Sequence, residues 1–298
     1  MSWYAFLGAL ELGFVYGLLA LGVYLTFRVL DFPDLTVDGS LPLGAAVSSV
    51  CITAGMDPFL SLAPALAAGC LAGMVTGLLN TKFKILHLLA SILTMIALYS
   101  VNIRVMGRPN LTLLGKPTVL DPLLAMGLPQ SVAAPLLFSA AAALAVALLL
   151  WFLHTELGQA MLATGDNRAM ITAQGVNTNG IIVGGVGLSN AFAALAGALV
   201  AQSQGAADVN MGVGAIVAGL ASVIVGETIF GRQTIDRAII AAVLGSVVYR
   251  VAIALALGLK LGSFSFTPSD LNLITASLVV LALIAPQIKA KVRSRARA

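Results

Sequence analysis

Read for hydropathy alone, the chain is a succession of apolar runs of 16 to 24 residues parted by short polar stretches. Nine runs stand out, over 4–27, 41–56, 58–80, 85–106, 132–153, 180–203, 211–230, 238–258 and 271–288. Each is near the ~20 residues that a helix needs to cross a hydrocarbon core of ~30 Å. The runs are continuous and do not alternate with a period of two, so they predict helices and exclude a transmembrane barrel. The expected fold is all-α and polytopic, with about nine (8–10) transmembrane helices in one domain over 1–298. The run 41–56 is short and 211–230 opens in a glycine-rich stretch, so both are predicted to be broken or re-entrant. Glu11 interrupts the first run and no basic stretch precedes it, so the run reads as a span and not as a cleavable signal.

Composition agrees. Of 298 residues, 59% are apolar and only 9% are charged, against about 25% charged in a soluble domain. The net charge of +4 raises the question of nucleic acid, but the basic residues sit at the ends of apolar runs. Five of the 16 fall in the tail Lys289–Arg297. That is the positive-inside pattern of membrane topology, not a groove-lining stripe. With the tail placed in the cytoplasm, eleven Lys and Arg fall inside and five outside, and the N-terminus lies outside. If 41–56 does not cross, the N-terminus moves inside. Cys51 and Cys70 lie in apolar runs and read as small buried hydrophobes, not a disulfide or metal pair.

Two loops have length. The outer one, 107–131, carries Pro109, Pro117, Pro122 and Pro129 and is expected to be an irregular cap. The inner one runs from His154 to Asn179. Small residues recur at four-residue spacing: Gly13/Gly17, Gly69/Gly73/Gly77, Gly180/Gly184 and Ala193/Gly197. Such spacing lets helix backbones approach closely where lipid removes the hydrophobic driving force.

Two similar segments lie 174 residues apart. Asp34-Leu35-Thr36-Val37-Asp38-Gly39-Ser40 and Asp208-Val209-Asn210-Met211-Gly212-Val213-Gly214 each follow an apolar helix and lead into a small-residue run. Five helices separate them, so the copies have opposite orientation, in repeat-like halves of about 1–130 and 131–298. Inverted repeats with interrupted helices point to a substrate pathway. Asp34, Asp38, Gly39, Asp208, Asn210 and Gly212 are its candidate residues. Both segments are predicted to be non-helical over their whole length, one nearer each face. Two ordinary polar turns are the plainer reading of the same residues.

In the inner loop, Asp166 is a good N-cap for a short helix over 167–174, and Gly175 is a good stop. Met170, Ile171 and Ala173 would form its apolar face, flanked by Arg168 and Gln174. Such a helix can lie on lipid or dock into a partner's groove, and a single Arg favours docking. Among ionisable residues inside spans, Glu11, Glu227 and Arg250 need partners, since a charge at mid-bilayer costs at least ~2.5–3.5 kcal/mol. Arg250 is expected to meet Asp208, in the same outer half.

The stretch 155–226 resembles the permeases of branched-chain amino-acid and related ABC importers. The resemblance rests on Thr155, Leu157, Gly158, Ala160, Ala163, Gly165, Asn167, Ala169, Gly175 and Asn177, then Leu188, Ser189, Ala191, Leu195, Ala196, Gly197, Ala198 and Leu199. It implies that Gly158, Gly165, Asp166, Asn167, Arg168, Met170, Ile171 and Gly175 belong to a coupling segment seated on an ATP-hydrolysing subunit. At the first break the chain departs from the family's Asn-Phe-Ala-His-Gly type and has Phe32-Pro33-Asp34-Leu35-Thr36-Val37-Asp38-Gly39. That resembles a divergent branch associated with aromatic amino acids or unassigned substrates.

No phosphate-binding G-x-x-x-x-G-K-[ST] loop occurs, so ATP is expected on a separate chain and no cofactor on this one. His87 and His154 lie far apart at helix ends, and no catalytic arrangement is visible. The expectation is a permease subunit of the bacterial inner membrane, not an enzyme. Its expected partners are ATPase subunits, an extracytoplasmic substrate-binding protein, a second permease copy or paralogue, and lipid. An ion-coupled secondary transporter with the same inverted repeat is the rival.

Overall fold

The computed structural model describes residues 3–258, 260–261, 264–265, 277 and 280. The ninth apolar run, 271–288, and the basic tail lie outside the described residues. Six described helices are long and apolar enough to cross a membrane. These are α1 (Trp3–Tyr24, continued by a π turn at Leu25–Val29), α3 (Leu62–Thr81), α4 (His87–Met106), α6 (Gln130–Leu153), α9 (Thr178–Gln204) and α11 (Ile235–Gly258). Two apolar helices are shorter, α2 (Val37–Thr53) and α10 (Ala215–Phe230). These two are the ones expected to be broken. At ~1.5 Å per residue they reach only about 25 Å, less than a bilayer core.

The centre of the bundle is α9, which packs on α1, α2 and α3. Glycine makes these approaches possible. A Cβ on Gly69 would lie 2.4 Å from the Asn190 carbonyl oxygen, and one on Gly73 would lie 2.3 Å from that of Val186. Gly197 and Gly44 are tighter still, each with a carbonyl oxygen of the facing helix 1.9 Å from where the Cβ would sit. Gly13 and Gly17 seat α1 on Val247 and Val243 of α11. Gly180 and Gly184 do not follow the pattern among the described residues, where no facing helix comes within 4 Å of a Cβ at either.

One end of the bundle is tied by strand β1 (Asn110–Thr112), antiparallel to β2 (Ala206–Asp208), with the short helix α5 (Asp121–Ala125) beside it. There Gln202 of α9 accepts from Val119 N–H at 3.0 Å and donates to Ser48 Oγ at 3.1 Å, anchoring the loop 107–131 to α9 and α2. At the other end, α7 (Glu156–Asp166) projects from α6 and rests on the end of α1, and α8 (Arg168–Ala173) follows it and packs on α9. The two long loops therefore lie at opposite ends, with α6 running between them.

Candidate functional site

The first break is shorter than the sequence suggests. Residues 30–36 are non-helical, and α2 starts at Val37, so Asp38, Gly39 and Ser40 form its first turn instead of extending the break. The helix therefore begins four residues before the apolar run at 41, with Pro42 inside it. A proline at 42 has no N–H to give the Asp38 carbonyl four residues back. That freed carbonyl is where Gly212 packs, with a Cβ there 1.9 Å from the oxygen. The second break, 209–214, is non-helical as expected, with Gly214 at φ +78° just before α10.

The two breaks meet; they do not lie apart towards opposite faces. Asp38, in the first turn of α2, accepts from Gly214 N–H at 3.2 Å and from Ile216 N–H at 2.7 Å, and so caps α10 from another helix. A carboxylate at that position satisfies two of the orphan amides and faces the positive end of the helix dipole. Asp34 is fully buried and holds the first break in shape. Its Oδ1 accepts from Thr36 N–H at 2.9 Å, and its Oδ2 accepts from Asn190 Nδ2 of α9 at 2.7 Å. Ser40 Oγ donates to the same Asn190, and Thr36 shares a 2.7 Å bond with Thr76 of α3. This polar net fixes α2 against α3 and α9 at depth.

Beside the meeting point lies a cavity of about 400 Å³. Asp38, Gly39, Pro42, Asn102, Val209 and Asn210 line it, with the α4 face Met95–Ser100 completing the wall. Of the six candidate path residues, Asp38, Gly39 and Asn210 reach this wall, and Gly212 packs directly behind Asp38. Asp34 lies inside the net just described. Asp208 belongs to β2, where it accepts from Asn110 Nδ2 at 3.1 Å and from Asn210 N–H at 2.7 Å. Asn102 and Asn190 carry no mark in the sequence, because each works through a partner distant in the chain.

In the segment between α6 and α9, Asn167 caps α8 by accepting from Met170 N–H at 3.0 Å, and Asp166 is the last residue of α7. The cap expected at Asp166 therefore moves one residue on. Thr155 caps α7 in the same way, accepting from Gly158 N–H at 3.3 Å. Gly175 does stop α8, at φ +88°. Met170 is 49% exposed, whereas Ile171 is buried, so the apolar face is divided between solvent and the protein. Arg168 donates to Asn179 Oδ1 at 2.6 Å. Gly158 and Gly165 serve close packing: a Cβ on Gly165 would lie 1.9 Å from Val29 O at the end of α1.

The charges inside spans find partners. Glu227 near the end of α10 pairs with Arg28 at the end of α1, and Glu11 accepts from Ser203. Arg250 does not meet Asp208; its guanidinium lies 3.6 Å over the centre of the Tyr16 ring. Cys51 and Cys70 are free.

A multi-helix membrane bundle with two interrupted helices meeting at a cavity, and a short helical segment projecting at one end, has the form of a transport permease. Residues 5–285 match the family model described as branched-chain amino acid transport system / permease component, and the chain belongs to that family of ABC-type permeases. It is 39% identical over 272 residues to the tyrosine transport system permease protein of Clostridioides difficile (strain R20291), covering 91% of this chain and 87% of that protein. It is 28% identical over 198 residues to the ribose import permease protein of Escherichia coli (strain K12), covering 65% of this chain and 60% of that one. Among solved structures, PsaBC from Streptococcus pneumoniae in complex with Fab has a similar fold, with TM-score 0.53, 16% identity, and 92% of this chain and 89% of that one covered.

Proposed function

We propose that this chain is the permease subunit of an ABC importer of the bacterial inner membrane, carrying an amino acid with an aromatic side chain. The observation that carries the transport reading is the head-to-head meeting of α2 and α10 beside the cavity. Backbone leaves helical geometry at membrane depth only where protein or a water-filled space satisfies it. The similarity to a protein named for tyrosine transport supports the substrate class. Asp38, Gly39, Asn210 and Gly212 flank the path, and Asp34 and Asp208 brace it. The end carrying α7 and α8 faces the cytoplasm, in keeping with the eleven-to-five division of basic residues. There Met170 and Leu157, both exposed, meet the ATPase subunits. An extracytoplasmic binding protein delivers substrate at the opposite end, and a second permease copy completes the assembly.

The test is uptake of L-tyrosine into proteoliposomes holding the permease with its ATPase subunits, with binding protein supplied outside. ATP inside should drive accumulation. Accumulation by the permease alone under a sodium or proton gradient would refute the importer reading in favour of a secondary transporter. ATP-driven uptake of D-ribose in place of tyrosine would keep the importer and overturn the substrate.

A further inference from the structure

Gly180 and Gly184, in the first turns of α9, serve no helix contact among the described residues, for no facing helix comes within 4 Å of a Cβ at either. A glycine inside a helix lowers stability relative to alanine, so two in open space call for an occupant. Two furrows adjoin over this pair. The larger, of about 770 Å³, runs between α9 and α7, with Phe152, Met161, Ile181 and Leu188 on its walls. It ends at Cys70 of α3, which packs level with Gly187. The smaller, of about 450 Å³, runs between α9 and α3 and is lined by Met74, Leu78 and Val183.

The depth and rim of the furrows match a lipid. From 177 at the mouth to 188 the larger one follows α9 for about 16 Å, at 1.5 Å per residue. That is the depth of one leaflet, half of a hydrocarbon core of ~30 Å. The α3 rim is apolar and exposed at Leu71, Val75 and Leu78, as a surface turned to lipid is.

The mouth carries opposite charges on its two sides. Glu156, in the first turn of α7, is the charged residue of the larger furrow, and Lys82, just past α3, is that of the smaller. Neither is in an ion pair among the described residues. Beside Lys82, Asn179 accepts from Arg168 at 2.6 Å and so holds a second cation on that side. The partner that fits has two apolar chains, an anionic group towards Lys82 and a cationic group towards Glu156. An anionic lipid without an ammonium would meet the Glu156 carboxylate as a like charge.

We propose that the paired furrow binds one phospholipid of the cytoplasmic leaflet, an acyl chain in each half, its phosphate at Lys82 and a primary ammonium at Glu156. The inference takes from the transport reading only that the α7 end is cytoplasmic.

Lipid retention tests it, on the full-length permease in mild detergent given equal amounts of palmitoyl-oleoyl phosphatidylethanolamine and phosphatidylglycerol. Native mass spectrometry should find one ethanolamine lipid retained about threefold more often than the glycerol lipid, the effect of one exposed ion pair. Glu156→Gln should retain lipid without that preference. Gly184→Leu adds a side chain where nothing stands within 4 Å, so it should fill the furrow and lower retention of both lipids about tenfold with Tm unchanged. A diazirine on one acyl chain of the ethanolamine lipid should label 70–82 and 177–188. Label spread evenly over α3, α4, α6 and α9, retention unchanged in Gly184→Leu, or an undiminished preference in Glu156→Gln would each overturn the site. Loss of the label on adding the ATPase subunits would give the furrow to them and overturn it as well. The two readings separate. Label in the furrow without ATP-driven tyrosine uptake upholds the lipid site while sinking the importer, and uptake with evenly spread label sinks the lipid site alone.

Discussion

Replacing Asp38 with alanine removes the cap that one interrupted helix lends to the other. Two bonds are lost, to Gly214 N–H at 3.2 Å and to Ile216 N–H at 2.7 Å. Each bond to a charged group contributes about 1.5–3 kcal/mol, and an exposed N-cap about 0.5–2. Asp38 is only partly buried, so water can replace some of the loss, and a total of about 2–4 kcal/mol is expected. Against a stability of about 5–15 kcal/mol that is a large share. For a chain of this size it should lower Tm by roughly 3–6 °C. Asp38→Asn separates charge from geometry: its remaining oxygen can keep the shorter bond to Ile216 N–H, while its amide group turns a donor towards Gly214 N–H. About half the loss should follow. Thermal unfolding in detergent micelles, followed by intrinsic fluorescence, measures both variants. An Asp38→Ala protein melting within about 1 °C of wild type would refute the claim that this carboxylate holds the break together.

Three further outcomes follow from the same contacts. Gly165→Ala places a methyl 1.9 Å from Val29 O and should cost about 1–3 kcal/mol by overpacking, seen as a lower Tm together with weaker transport-coupled ATPase activity. Gly175→Val forces a β-branched residue to φ +88° and should cost about 1–2 kcal/mol in the same melt, whereas Met170→Asp, at an exposed position, should leave Tm unchanged and lower tyrosine-stimulated ATP hydrolysis. Single cysteines at Thr112 and Gln174, both exposed and at opposite ends of the bundle, should react with an impermeant maleimide from opposite sides of the membrane, and labelling of both from one side would reverse the assigned topology.

The long spans were legible because a run of about 20 apolar residues needs no knowledge of its neighbours to be read as a helix. The places where sequence misled are those where a partner decides. The apolar run begins at 41, yet α2 starts at Val37 with Pro42 inside it, and the Asp38 carbonyl that Pro42 leaves unpaired faces Gly212 from a distant segment. Asp166 and Asn167 are both good caps; α7, begun by Thr155, runs through Asp166 and leaves Asn167 to do it. Gly180 and Gly184 carry the small-residue period without a helix among the described residues to receive it, which periodicity within one segment does not reveal. The candidate site was half legible for the same reason. Local chemistry marked Asp38, Gly39, Asn210 and Gly212, because Asp, Asn and Gly favour breaks and caps wherever they stand. Asn102 and Asn190 carried no such mark: a lone Asn in an apolar run has a role only through Gly39 O or Asp34, and those partners lie 63 and 156 residues away. Buried amides of this kind fix how α2, α4 and α9 sit together, so the cavity's shape depends most on the residues whose function the sequence states least.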